Sequence, residues 1–328
     1  MRSSVLLFLG LALACQAQSR TVAITVDDLP CAYCGSINPD GTSGHGMMES
    51  TNQRLVAGLT QAHIPVTGFV IAGFVSPEAT KRSGGTGQRS LQLWFDADFD
   101  LASHSDSHPN FADIPLEQME ADVARADATL RPLLAAHGQK LRYFRFPYNN
   151  TGDTQAKHDS FATFLKDHGY QVATCTIDTS DYVFASAYSR AIGSKDSAMA
   201  ARIRHEYLAY SATEIDFYAA LNRRVLGYEP SEVMLLHDSL LNADTIDEVL
   251  TLFRSRGYRF VSLSEAQRDP AYTIPDTYIT KYGPMWGYRW AKEKSLGSLG
   301  MKELEPASWV TDYANGTTTS QKPGADPR

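Results

Sequence analysis

The run Thr21-Val22-Ala23-Ile24-Thr25-Val26-Asp27-Asp28-Leu29-Pro30 decides how the chain is read. Residues 21–26 form a short apolar run of strand length, and two acids stand directly behind it. Successive side chains of a strand diverge, so Asp27 and Asp28 reach one rim only where the strand is ending. Two carboxylates this close raise one another's pKa unless a metal or an arginine intervenes. One acid as ligand and its neighbour as general base is an economical arrangement. The structural alternative is a solvated loop or a helix-capping pair.

Outward from this run, six more strand candidates follow, at residues 66–71, 100–103, 141–146, 171–176, 233–236 and 259–261. Helical patterns separate most of them, at 47–63, 116–137, 161–168, 198–221 and 245–256. The last is the clearest: Ile246, Val249, Leu250 and Phe253 fall on one face, and Gly257 stops it. Strands alternating with helices point to a parallel sheet with crossover helices. Seven units rolled up give an α/β barrel one short of the usual eight.

In such folds the chemistry gathers at the carboxyl ends of the strands. Asp27-Asp28, His104 with His108, Arg145 with Tyr148, Asp178 with Asp181, and His237-Asp238 all stand at or just past strand ends. His104-Ser105-Asp106-Ser107-His108 spaces two imidazoles four apart, as on one face of a helical turn, where they can grip one ion. A catalytic zinc-type site wants three protein ligands and an open position, and one of the two acids supplies the third. Taken singly, each feature has a bland reading: a surface coincidence for the histidine pair, a core histidine for His237, a structural ion pair for Arg145 and Asp181.

These residues resemble the polysaccharide deacetylases, the NodB-homology group of carbohydrate esterases. Thr25-Val26-Asp27-Asp28-Leu29-Pro30 is similar to the family's T-F-D-D-G-P, and His104 to His108 to its H-[ST]-x-x-H. Arg145-Phe146-Pro147-Tyr148 matches R-x-P-Y, Asp178 to Tyr182 matches D-x-x-D-W, and Leu235-Leu236-His237 matches L-x-H. All stand in order over roughly 210 residues. The resemblance implies a distorted (β/α)7 barrel, NodB-like, as a single catalytic domain. It implies a metal held by Asp28, His104 and His108, with Asp27 as general base. Arg145 would orient Asp27, and the backbone N–H of Tyr148 would hold the oxyanion. His237 would be the general acid, with Asp181 holding it as imidazolium. Zn²⁺ suits two histidines and one carboxylate, and Co²⁺, Mn²⁺ or Ni²⁺ are allowed. The activity implied is removal of acetyl groups from N-acetylated sugars of a polysaccharide or peptidoglycan. Alternatives are a smaller amide or an O-acetyl ester as substrate, or a non-catalytic carbohydrate-binding barrel.

Three departures bear on substrate more than on chemistry. Leu29 stands where the family has Gly, Tyr182 where it has Trp, and a Gly/Ser/Asn-rich insert runs from 31 to 46 beside the metal position. Tyr148, Tyr182 and Phe184 are candidates to stack on sugar faces or to serve as core. Of the other histidines, His63, His137, His168 and His205 read as helical or helix-end residues and His158 as a loop residue, all without a role. His45 lies in the insert, and the sequence leaves open whether it approaches the site.

The 328-residue chain carries 30 Lys+Arg against 37 Asp+Glu, a formal net charge of −7, with 43% hydrophobic and 20% charged residues. That balance excludes disorder as the main state. The acidic excess argues against nucleic acid, which needs a basic face, and leaves an N-acetylated glycan open as partner. Residues 1–18 read as a secretory signal: a basic start, then an apolar run from 5 to 13 too short to cross a bilayer. Leu11-Ala12-Leu13-Ala14-Cys15 also fits a loose lipoprotein box, which would anchor the chain through Cys15. The expectation is an exported protein, periplasmic or secreted, with no transmembrane segment. The catalytic domain is expected over 19–270, followed by an extension over 271–328 that packs on the barrel through Trp286, Tyr288 and Trp290 and frays at its end. Cys31 and Cys34 are spaced to close a small disulfide in an oxidising compartment, and Cys175 reads as core.

Overall fold

The structure, a computed structural model, describes residues 20–31, 34, 45–296 and 300–317, without the side chains of 45 and 46. The signal and lipoprotein-box residues, most of the 31–46 insert and most of the expected frayed end lie outside these residues.

The described residues form eight strands: β1 (Thr21–Leu29), β2 (Val66–Val70), β3 (Asp100–Ser103), β4 (Tyr143–Phe144), β5 (Gln171–Val172), β6 (Ile177–Asp178), β7 (Glu232–His237) and β8 (Arg259–Phe260). Every pairing is parallel, in the order β5-β4-β3-β2-β1-β7-β6, with β8 on the first two residues of β1. The helices are α1 (His45–Gln61), α2 (Pro77–Ser83), α3 (Thr86–Asp96), α4 (Leu116–Ala136), α5 (Gln155–Asp167), α6 (Asp181–Gly193), α7 (Ser197–Leu226), α8 (Leu240–Ser255), α9 (Leu263–Ala266), α10 (Trp286–Glu293) and α11 (Ser308–Asn315). This is the expected distorted (β/α)7 barrel. Among the described residues no helix is long and apolar enough to cross a membrane.

β1 is central because it is buried on both faces: Val22, Ala23, Ile24 and Val26 are at most 1% exposed. Its neighbours β2 and β7 are buried throughout but for His237. Helix ends follow local chemistry. The Ser239 hydroxyl accepts the Asn242 N–H at 3.2 Å and starts α8 directly behind β7.

The expected strand at 171–176 is not one strand. It breaks into β5 and β6, because the carbonyls between them are taken by other partners. The Arg145 guanidinium donates to the oxygens of Ala173 (3.4 Å) and Thr174 (3.2 Å), and the Trp286 N–H donates to that of Cys175 (3.0 Å). With those groups satisfied, no ladder closes the barrel here. Arg145 fills the gap from inside, and α10 covers it from outside with Trp286, Arg289 and Trp290 all buried.

Helices α2, α3 and α6 were not expected, since short amphipathic pieces leave little periodicity to read. His158 lies within α5 rather than in a loop, where its ring meets Asp276 at 3.5 Å and Asp159 at 3.1 Å. Cys31 and Cys34 form a disulfide and pack with Met48. Cys175 is free and buried.

Candidate active site

The two acids share a rim for a different reason than a strand end. β1 continues through Leu29, but its register against β2 slips between Val26 and Leu29. Val26 faces Gly68 and Leu29 faces Val70, so three steps on β1 match two on β2. Asp28 sits in this bulge with φ 65°. A bulge re-aims a side chain, and here it turns Asp28 to the side that Asp27 already faces. The bulky Leu29 is accommodated by Gly68, where a Cβ would come within 2.5 Å of the Leu29 Cδ2.

His104 follows β3, and His108 closes a loop rather than a helical turn. Ser105 (φ 69°) and His108 (φ 57°) are both left-handed. The loop is tied down by Asp122 of α4, which accepts the backbone N–H groups of Asp106 (2.7 Å) and Ser107 (3.2 Å) and the Ser107 hydroxyl (2.6 Å). The Ser105 hydroxyl oxygen also accepts the His108 N–H at 3.0 Å.

Asp28 Oδ1 lies 3.5 Å from His104 Nε2 and 3.2 Å from His108 Nε2. All three atoms fall within 4.8 Å of one another, a spacing that one ion can bridge. His104 Nδ1 is 3.0 Å from the Arg145 carbonyl, which can only accept. That contact places the ring proton on Nδ1 and leaves the Nε2 lone pair facing the carboxylates. Burial pushes the His104 pKa down to about 4, with His108 adding to the fall and Asp27 and Asp28 opposing it, so the ring is neutral at pH 7. Burial also works to raise the Asp28 carboxyl, but the His108 contact and the charge of His237 outweigh it and hold it well below the usual range. With the His104 Nε2 lone pair turned inward, Asp28 Oδ1 is buried and has no hydrogen-bond partner among the described residues. An orphaned carboxylate oxygen facing two imidazole nitrogens fits a divalent cation and its N₂O donor set.

Asp27 stands beside this group, with its Oδ2 3.6 Å from His104 Nε2. Its Oδ1 accepts from Arg145 at 2.7 Å. Arg145 is fully buried, donates also to the Thr25 hydroxyl at 2.7 Å and lies 4.0 Å over the Phe69 ring. On the other flank, β7 pairs with β1 so that His237 is in register with Asp27. His237 Nδ1 donates to Asp181 Oδ1 at 2.6 Å, and the His237 backbone N–H donates to Oδ2 at 2.7 Å. Burial lowers the His237 pKa, but the charge and hydrogen bond of Asp181 overcome this and raise it to about 10. Asp181 is itself held by Asn242, which also donates to the His237 carbonyl at 2.8 Å and accepts the Tyr207 hydroxyl at 3.0 Å.

Asp27, Asp28, His104, His108 and His237 line one cavity of about 240 Å³, with Tyr148, Asn149, Asp178, Tyr182, Gly283 and Met285 completing its wall. Tyr148 and Tyr182 are 60% and 45% exposed at its mouth, beside His108 and His237 respectively. Phe184 is fully buried against Tyr207 and Tyr210 and takes no part in the wall. A larger cavity of about 510 Å³ shares only His108 with it and has mostly apolar walls, Met48, Ile71 and Phe74 among them. His45 belongs to α1, but its side chain is outside the described residues.

Sequence reasoning did not single out Asn242, Asp122, Thr25, Gly283 or Met285. For Asn242 a signal existed: it stands at the third position of a helix that starts right after His237-Asp238-Ser239. For Gly283 and Met285 none did, because both come from the far end of the chain.

Residues 15–173 match the family model described as polysaccharide deacetylase. Over those residues, just under half of its length, the chain is similar to the polysaccharide deacetylase family. The match ends ahead of Asp181 and His237. That similarity supports reading the chain as a hydrolase acting on the amide bonds of acetylated polysaccharide. No curated protein matches it significantly. Among solved structures, it is similar to a family 4 carbohydrate esterase from Streptomyces lividans in complex with acetate (18% identity, 75% of this chain and 95% of that one, TM-score 0.46). It is also similar to a peptidoglycan deacetylase from Bacillus subtilis (16%, 76% and 91%, TM-score 0.47). A third likeness is to a family 4 pseudoenzyme from Bacillus anthracis (16%, 76% and 66%, TM-score 0.48).

Proposed function

We propose that this protein is an exported, divalent-metal-dependent deacetylase that removes acetyl groups from N-acetylated sugars of a polysaccharide or peptidoglycan. Asp28, His104 and His108 would hold the ion, with Zn²⁺ the best fit to their donors and Co²⁺, Mn²⁺ or Ni²⁺ allowed. A divalent cation supplies Lewis acidity there, enough to lower a water's pKa from about 15.7 to about 7.

The chain's own residues do the rest. Asp27 takes the proton of the attacking water, and its bond to buried Arg145 fixes the oxygen that faces away from the site. The Tyr148 backbone N–H donates to the developing acetyl oxyanion, a contribution worth roughly 3–4 kcal/mol for one well-placed donor. His237, charged at pH 7 because of Asp181, gives its Nε2 proton to the departing sugar amine. Tyr148 and Tyr182 offer exposed rings to the glycan at the cavity mouth. Export rests on the basic start and short apolar run of residues 1–18, with anchoring through Cys15 as the lipoprotein form.

The observation that carries this reading is the convergence of Asp28, His104 and His108 on one point, with Asp27–Arg145 and His237–Asp181 on its flanks. It is tested by acetate release from a panel of N- and O-acetylated glycans and small acetamides with added divalent metals. Turnover of an N-acetylated glycan is expected, abolished reversibly by a chelator. Asp27→Asn should bind metal as the wild type does and lose about 10²–10⁴-fold in rate. Indifference to chelation, or full activity in Asp27→Asn, would overturn it. Turnover confined to O-acetyl esters or small amides would move the substrate and keep the chemistry.

A further inference from the structure

We propose that the segment from Lys281 to Arg289, distant in sequence from every catalytic motif, sets the direction of the Tyr148 backbone N–H, with Gly283 and Arg289 as its positioning residues. The proposal rests on the reading of Tyr148 N–H as the oxyanion donor.

The turn that carries Tyr148 is conformationally demanding. Tyr148 (φ 57°) and Asn149 (φ 51°) are consecutive non-glycine residues in the left-handed region. Such a pair persists only where the surroundings over-determine it. Within the turn, the Asn149 N–H donates to Phe146 at 3.0 Å and the Asn150 N–H to Pro147 at 3.2 Å. The Tyr148 N–H has no acceptor among the described residues, so the turn leaves that one donor free to face the cavity.

What over-determines the turn is the C-terminal segment. A Cβ on Gly283 would lie 1.7 Å from the Tyr148 carbonyl oxygen and 2.8 Å from the carbonyl carbons of Tyr148 and Asn149. Two backbones are therefore pressed together, and only a residue without a side chain permits it. Arg289, 1% exposed, donates to the Asn149 carbonyl at 2.7 Å and the Thr151 hydroxyl at 2.9 Å. It also donates to Asp276 at 2.6 Å and the Pro284 carbonyl at 3.0 Å, which ties the segment back on itself. Asn150 completes the clamp by donating to the Lys281 carbonyl at 2.8 Å. The carbonyls on the far side of Tyr148 and Asn149 are thus fixed from behind. Their fixation sets φ at Tyr148 and with it the line along which its N–H points. Gly283 and Met285 also form part of the cavity wall, so the same segment shapes the space the acetyl group enters.

A donor displaced by about 1 Å from its working position can cost about 10²-fold in rate. The test measures kcat, KM, metal per chain and melting temperature for wild type, Gly283→Ala, Arg289→Lys and Lys292→Ala, all on the full chain. Gly283→Ala is expected to lower kcat about 10²-fold, with KM within about twofold and metal content unchanged. Arg289→Lys, which keeps the charge and loses the fork, should lower kcat about tenfold on the same terms. The exposed Lys292→Ala should match wild type. A crystal structure of Gly283→Ala should show the Tyr148 peptide turned from its wild-type direction. Wild-type kcat in folded Gly283→Ala overturns the proposal, as does a loss that tracks loss of metal or of folded protein. If Gly283→Ala does not fold, Arg289→Lys decides by the same split. An inactive wild type on every substrate and metal would fail the deacetylase reading itself. An active wild type with unaffected variants fails this inference alone.

Discussion

At the scale of single residues, the site works by opposing burial with specific partners. His104 is pushed neutral by burial, and His237 is held charged against burial by Asp181. The second effect has a measurable consequence for stability. The His237 pKa is raised from about 6.5 unfolded to about 10 folded, so the folded state binds the proton more tightly. Its contribution is complete below about pH 6.5 and is lost as pH rises through about 10. Urea midpoints of the metal-free protein are therefore expected to fall between about pH 7 and pH 10, and the fall should be shallower in Asp181→Asn. Equal pH slopes for the two proteins would contradict the pairing. The places of Asp27 and His237 on the rim were legible in sequence because each follows an apolar run, while their roles came only as what the resemblance implies. Asn242 and Thr25 were not, since an amide and a hydroxyl that hold other residues carry no signature of their own.

Elements position what residues supply, and here the sequence was legible in outline and silent on irregularity. Apolar runs located β1, β2, β3 and β7, because those strands are buried on both faces. The devices that aim the chemistry are breaks in regular structure. The bulge at Asp28 turns a second carboxylate to the rim, and the left-handed Ser105 and His108 curl a loop where helical spacing suggested a turn of helix. Neither has a periodicity to read. The split between β5 and β6 arises from Arg145, whose long-range bonds no local pattern announces. The histidine loop leans on Asp122, so Asp122→Ala should leave the part-buried N–H groups of Asp106 and Ser107 without that acceptor. It is expected to cost about 1–3 kcal/mol in stability and about 10–100-fold in metal affinity while the barrel remains folded. Competition against a chromophoric chelator measures the second. Unchanged affinity would show that the loop holds His108 without α4.

For the whole molecule, parallel register is what turns scattered motifs into one site. β1 lies between β2 and β7, so carboxylates from one strand meet imidazoles delivered from both sides. The barrel stays open between β5 and β6, and the chain's C-terminal part covers that seam and reaches the cavity with Gly283 and Met285. The alternation of strands and helices made the barrel legible. The reach of the last segment was not, because contact between residues more than a hundred apart is written in packing rather than in local pattern. The central claim is one divalent ion shared by Asp28, His104 and His108, with Asp27 beside it and free. Crystals grown with Zn²⁺ and measured at its absorption edge test this most directly. One anomalous peak is predicted within bonding distance of Asp28 Oδ1, His104 Nε2 and His108 Nε2, with Asp27 outside the coordination sphere. No peak at that point, or an ion that Asp27 ligates directly, would contradict the account.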